Sequence, residues 1–425
     1  MANQQLSPLA DCRGAGGYTQ ESFAEKLGVD RSTVGRWERG VQAPQPWQRP
    51  DLAAALDISL DHLDDILRRT KRSSNAAVTT EPPVLESPFR LVENGRHSQP
   101  EVASTFSGDD AVRAAIPRLR RALDRIGLPD DGPTRPVDQL VADVAGMIEH
   151  RLQARYVEMA WRLPALISEL ARSRDEGGSR DAAALLTLAF RAADGVAYKF
   201  GYLDLSARII DLMRASAVTA ESPLLMAAVA YVRTETFFAT GDLDSASQLL
   251  IAAADDLATK VADSTPAAAA AFGALHMRAA VVAGRAGKRD SAWDHLDEAR
   301  RVAWKVPEGV YFGTAFGPAS VRIHELAVAV ELGDSPAAVE RAAAWHPPAD
   351  LPAERRSHYF IDLARAQFRL GHYQDAQLGL EAARRAAPQH VREHPQVRET
   401  LSALLRTHGS PDNHLLKLAA WARAQ

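Results

Sequence analysis

Five segments of this chain carry a glycine, a small residue and a bulky residue at the same offsets, and that recurrence restricts the fold more than any other feature of the 425 residues. The segments are "KFGYLDLSARIIDLMRAS", "ATGDLDSASQLLIAAADDL", "RAGKRDSAWDHLDEARRVA", "ELGDSPAAVERAAAWHP" and "RLGHYQDAQLGLEAARRAAP". Their glycines, Gly201, Gly241, Gly287, Gly333 and Gly371, are separated by 40, 46, 46 and 38 residues. A glycine at a helix end supplies the left-handed cap that stops the helix. Five residues on, Ser206, Ala246, Ala292, Ala338 or Ala376 lets the next helix pass close to the first. Four further, Ile210, Leu250, Leu296, Ala342 or Leu380 fills the gap between the pair. The pattern describes helical hairpins stacked on one another. From about residue 111 to the end the chain is rich in Ala, Leu and Arg with hardly a β-branched run, which predicts helix throughout.

The last copy, with Leu363, Ala364, Gly371, Tyr373, Ala376, Leu380, Ala383 and Pro388, resembles the tetratricopeptide repeat, a helix pair of about 34 residues. The other copies are longer and degenerate, so the likeness is to a tetratricopeptide-like α-solenoid over residues 111–425, with an irregular helical bundle as the alternative. The segment "VDQLVADVAGMIEHRLQARYVEMAWRLPALISELARSR" predicts helices that cap the stack. Such a stack lines a concave face with the first helix of each pair, a surface suited to an extended peptide or a small molecule. By repeat position, Tyr198, Tyr231, Glu235, Phe238, Met277, His324, Arg365 and Phe368 face it. The loop from Tyr311 to Pro318, with Phe312 and Phe316, breaks the helical texture and is expected to lie over the groove. Ordinary packing between helices is the competing account of each of these residues.

Hydrophobic residues at 46% and charged residues at 24% are the balance of a soluble globular protein. No apolar run suggests a membrane span, and the start "MANQQLSPLADCRG" lacks a signal-peptide pattern, so the expected location is the cytoplasm. Cys12 is the only cysteine and is expected as a buried thiol in the first helix, which rules out an intrachain disulfide or a multi-cysteine zinc site. A net charge of −4 means that any nucleic-acid contact must be local. Residues 71–110, rich in Ser, Thr, Pro and Glu, are expected to link a first domain of residues 1–70 to the repeats.

That first domain contains "YTQESFAEKLGVDRSTVGRWERG". Thr19 is suited to cap a helix from Gln20 to Leu27, with Phe23, Ala24 and Leu27 on its inner face. Gly28 breaks it, Val29 plugs the turn, Asp30 caps, and a second helix runs from Arg31 to Arg39. Val34 and Trp37 face inward, leaving Ser32, Arg36 and Arg39 outside. Small Ala24 and Gly28 meet the steric demands of a helix-turn-helix. Trp47, within "PQPWQRP", reads as a packed loop anchor.

Gln20, Ala24, Gly28, Val34, Trp37, Glu38 and Gly40 together resemble the phage repressor and Cro-like, or XRE, family over about 60 residues. The resemblance implies a five-helix, lambda-repressor-like domain whose second helix enters the major groove of double-stranded DNA. Arg31, Ser32 and Thr33 would lie near base edges, Arg36 one turn deeper. Gln20 would hold a phosphate and brace the recognition helix. Arg39, Gln48 and Arg49, with "RRTKR" at Arg68 to Arg72, would contact the backbone. Two features depart from the pattern: "RGAGGY" interrupts the preceding helix, and residues 1–72 hold ten acidic and ten basic side chains. Binding by one copy is therefore expected to be weak and to depend on dimerisation.

An XRE-like domain, a linker and a tetratricopeptide-like region resemble a group of regulators of Gram-positive bacteria, some of which sense peptides or metabolites. The implied function is a homodimeric transcriptional regulator binding a DNA operator and answering to a small-molecule or peptide effector. The alternative is a protein-interaction scaffold with a non-regulatory helix-turn-helix. No enzyme, cofactor or metal is expected. "HVREH" spaces His390 and His394 like two ligands but lacks the neighbouring Glu and an evident third ligand, so both read as exposed helix histidines.

Overall fold

The computed structural model describes residues 7–29, 31–38, 44, 48–74, 108–177, 179–260, 265–407 and 412–424. One compact unit comprises residues 1–88 and 255–263, the other residues 89–254 and 264–425. The first carries α1 (Pro8–Ala15), α2 (Gln20–Leu27), α3 (Arg31–Glu38), α4 (Arg49–Leu56) and α5 (Leu60–Ser74). Leu9, Phe23, Val34, Trp37, Leu52 and Leu63 close its core. The helix before the motif runs on through Gly14, and the break falls after Ala15. Cys12 is half-buried rather than buried. Most of the expected linker, residues 75–107, and the expected roles of Asp30, Arg39 and Trp47 lie outside the described residues.

The second unit opens with α6 (Gly108–Asp124), α7 (Val137–Leu152) and α8 (Tyr156–Gly177). Five hairpins follow: α9 (Arg180–Lys199) with α10 (Leu203–Thr219), α11 (Pro223–Thr240) with α12 (Leu243–Lys260), and α13 (Pro266–Arg285) with α14 (Arg289–Ala303), then two strands. After β1 (Gly309–Tyr311) and β2 (Thr314–Phe316) come α15 (Pro318–Glu331) with α16 (Ser335–Ala344), and α17 (Ala353–Arg369) with α18 (Tyr373–Ala386). The chain ends with α19 (Pro388–Glu393), α20 (Pro395–Thr407) and α21 (Asn413–Ala422).

Each hairpin turns at one of the five spaced glycines, all with φ between 70° and 80°. The small and bulky positions after them, from Ser206 and Ile210 to Ala376 and Leu380, are all buried. The first helices α9, α11, α13, α15 and α17 pack in a row, and α8 and α7 cover α9.

Three sequence expectations change here. The chain is not wholly helical: β1 and β2 pair antiparallel with Gly309 opposite Phe316. Phe312 and Gly313 turn the strands with φ of 49° and 75°, the two positive values that a tight primed hairpin turn requires. Second, α13 is long and apolar enough to cross a membrane, with mean hydropathy 1.4 over a window that is 67% buried in the fold. Third, the row of first helices does not stay open, because α17 packs against α7. Arg151 of α7 reaches Glu354 of α17 at 3.2 Å, and Arg113 of α6 reaches Glu393 at 2.9 Å. Gln389 Oε1 accepts from the backbone N–H of Tyr156 at 2.7 Å and of Val157 at 3.1 Å. The end of the stack is thus tied to its beginning.

Candidate nucleic-acid interface and interior cavity

Between α2 and α3 the local sequence dictates the geometry. Thr19 and Ser22 form a reciprocal capping box at the start of α2. At its end Gly28 takes φ 65°, and the N–H groups of Gly28 and Val29 donate to Glu25 and Ala24 at 3.2 and 3.0 Å. This double closure satisfies the last carbonyls and fixes the direction in which α3 leaves. Val34 and Trp37, each 1% exposed, seat α3 on the core, while Arg31 is exposed and Thr33 half-buried.

Glu38 fastens the motif. Its Oε1 takes Arg13 Nε of α1 at 2.5 Å, and its Oε2 takes Gln20 Nε2 of α2 at 2.5 Å. Gln20 of α2 is thus tied to α3 by way of Glu38. One buried carboxylate holds three helices. Arg49 does not stand free: its Nε donates to the Pro44 carbonyl at 3.2 Å, and Gln48 is the residue before α4.

A family model described as Helix-turn-helix matches residues 9–63. An uncharacterized HTH-type transcriptional regulator of Bacillus subtilis (strain 168), YazB, is 47% identical to this chain over 47 residues, 11% of this chain and 68% of that protein. The chain belongs to the helix-turn-helix family. The family model falls short of the repeats, so membership describes the amino-terminal unit of this helix-turn-helix protein. Arg31, the first residue of α3, is exposed, and the side chains of Ser32 and Arg36 lie outside the described residues.

The helix-turn-helix protein's second unit holds a cavity of about 710 Å³. Of the residues expected to face a groove, Tyr198, Tyr231, Glu235, Phe238 and His324 line it. Met277 and Phe316 do not, being fully buried packing. Tyr311 turns its hydroxyl back to the Pro307 carbonyl at 2.9 Å, and Phe312 forms the hairpin turn. Arg365 is held by Asp362 at 2.8 Å and Glu331 at 3.3 Å, while Phe368 packs beside Tyr373. The loop does reach inward: Arg191 donates to the Gly313 carbonyl at 3.2 Å and to Thr314 Oγ1 at 2.9 Å, and Arg151 also donates to Gly313.

Eight cationic and six acidic side chains line the cavity. Arg278 sits over the rings of Tyr231 and Phe238 at 4.9 and 4.7 Å, and Arg285 over Phe238 at 4.2 Å. Burial would raise the Tyr231 phenol, but the guanidiniums of Arg355, Arg278 and Arg191 outweigh it and bring its pKa down to about 8. Burial likewise opposes ionisation of Glu354, yet Lys199, Arg151 and Arg355 hold it at about 2. Asp194 goes the other way. Its burial and the facing Glu235 raise it well above the usual carboxylate range, against a 2.6 Å hydrogen bond from Ser206.

Two further corrections concern histidine. His390 is 1% exposed, and His394, which ends α19, is half-buried, so neither is an exposed helix histidine. The missing third histidine is His358 of α17, and nitrogen atoms of all three lie within 4.8 Å of one another. The sequence held a signal for it: Glu354, His358, Asp362 and Arg365, spaced 4, 4 and 3, make one polar stripe along α17. Arg191, Lys199 and Arg355 were missed because no pattern distinguishes them among 50 basic residues.

Proposed function

We propose that this is a sequence-specific DNA-binding transcriptional regulator of the cytoplasm, acting by binding rather than catalysis. The observation that carries the reading is the α2–Gly28–α3 geometry, with Glu38 locking the recognition helix, in a segment that matches the helix-turn-helix family. The relative in Bacillus subtilis, named as a transcriptional regulator, supports it. Arg31, Ser32, Thr33 and Arg36 read bases, while Gln20, Arg39, Gln48 and Arg49 engage the backbone. An arginine in the major groove reads guanine bidentately, worth roughly 1–3 kcal/mol of discrimination.

The helical hairpins form a tetratricopeptide-like domain that dimerises the protein, houses an effector, or both. The five turns with glycine in the left-handed region support the likeness. A cavity of about 710 Å³ suits a small molecule or a short peptide better than an extended one. A homodimer would bind a roughly palindromic operator with half-sites about one helical turn apart. The effector acts through its difference in affinity between the states that allow or forbid both heads to engage.

The deciding experiment selects random DNA duplexes with the full-length protein beside a Ser32→Ala, Arg36→Ala double variant. A palindromic motif enriched by the wild type alone supports the reading and supplies the operator. No enrichment by either folded protein at low salt, with and without extracts as a source of effector, would sink it.

A further inference from the structure

We propose that His358, His390 and His394 form a binding site for a divalent transition-metal ion of the zinc class, in which Lys199 is the cation that holds the site when no metal is bound. The inference is independent of DNA binding.

Two elements build the site. His358 projects from α17, His390 lies in α19 and His394 caps it, the pair held between Ala387 and Pro395. The ring centroids lie 4.5 Å apart for His358 and His390, 5.5 Å for His358 and His394, and 5.2 Å for His390 and His394. Hydrogen bonding sets the tautomer of His390. Ser357 Oγ spends its one proton on the Glu354 carbonyl at 2.7 Å, so it accepts from His390 Nδ1–H at 2.8 Å. The lone pair of His390 is therefore on Nε2. A hydroxyl behind the distal nitrogen is the kind of support that orients a metal-binding imidazole.

That lone pair faces a positive charge. Lys199 Nζ lies 3.2 Å from His390 Nε2, 3.2 Å from His358 Nε2 and 3.4 Å from Glu354 Oε1, so its three N–H bonds have three acceptors. The imidazoles thus already converge on a cation. Lys199 does not account for His394, whose Nδ1 is buried without a hydrogen-bond partner. A metal ion at the centre of the three rings would engage it. Three imidazole nitrogens favour zinc, nickel or copper over the oxygen-seeking magnesium and calcium. Bonds of about 2.0–2.1 Å would draw the nitrogens, now within 4.8 Å, closer by side-chain rotation. The entering ion displaces the ammonium, which keeps Glu354. All three histidines border the cavity, so a fourth position could take water or a donor atom of a bound molecule.

A finished hydrogen-bond cluster is the competing account, and the two differ in what Lys199 does. The test uses chelator-treated, untagged, full-length protein dialysed against zinc with metal analysis, and against cobalt with visible absorption. The wild type should retain one equivalent and show the intense bands of low-coordinate cobalt. His358→Gln and His394→Gln should lose it. Lys199→Met, relieved of the competing charge, should bind about tenfold tighter. Circular dichroism checks each fold, and the Lys199→Met gain remains informative if a histidine variant misfolds. Retention of no metal by either wild type or Lys199→Met, or equal retention by folded histidine variants, would overturn the proposal.

Discussion

Glu38 shows how much one side chain decides. At 6% exposure it pairs with Arg13 and Gln20, and its loss leaves an arginine that is itself only 14% exposed without a counter-charge. Removing one partner of such a pair costs far more than the intact pair contributes, so Glu38→Ala should lower the stability of the amino-terminal unit by about 3 kcal/mol. Urea unfolding followed by Trp37 fluorescence measures it, with Glu38→Gln expected to be milder; an unchanged midpoint for the alanine variant would refute the brace. Tyr231 offers a second residue-scale prediction. Its folded pKa of about 8 lies below the ordinary value of 10.0. Its contribution is therefore full above about pH 10 and lost as the pH falls through about 8. A tyrosinate absorption step near pH 8 should be present in the wild type and absent in Tyr231→Phe. Neither role was legible beforehand, although both residues were singled out. Spacing identifies a helix face, but it cannot see that Arg13 lies against Glu38 across 25 residues, or that three arginines surround one phenol.

Among the elements, what recurs in sequence was legible and what depends on a distant partner was not. The turn at Gly371 follows from its own segment: φ is 79°, and open space surrounds the position of an added Cβ. Gly371→Ala should therefore cost only the left-handed penalty of about 1–2 kcal/mol. Gly273 lies inside α13, where helix propensity alone would favour alanine by about 1 kcal/mol. Yet an added Cβ would lie 2.0 Å from Phe316 Cζ, on the hairpin packed against that helix. Gly273→Ala should thus lower the melting temperature more than Gly371→Ala, and Phe316→Leu should restore part of the loss. The reverse order of melting temperatures would contradict the packing of β2 on α13. The hairpin escaped a reading based on helical period because its strands are three residues each and its anchor, Gly273, is more than 30 residues earlier.

At the scale of the molecule, the second unit's closure explains why polar groups are buried there at all. A row of hairpins in which each touches only its neighbours would leave the first-helix faces open to water. Here Arg151 meets Glu354 across 203 residues, and the ring of helices encloses ionisable side chains that an open solenoid would leave hydrated. Three buried histidines of this unit lie apart from the cluster at Lys199. His276 and His295 face each other at 3.0 Å between their Nδ1 atoms, and His324 Nδ1 bonds the Ser320 carbonyl at 2.8 Å. Burial is the main cause that drives His276 well below its usual range, His295 to about 4 and His324 to about 3. The unfolded chain, with histidines near 6.5, then takes up protons that the folded unit refuses. Stability is complete above about pH 6.5 and falls as the pH drops toward these folded values, by up to about 4 kcal/mol per pH unit when all three contribute. Urea midpoints of the second unit should therefore decline between pH 7 and 5, and His324→Gln should flatten the slope by about 1.4 kcal/mol per pH unit. Equal midpoints at the two pH values would mean that these imidazoles are hydrated in solution.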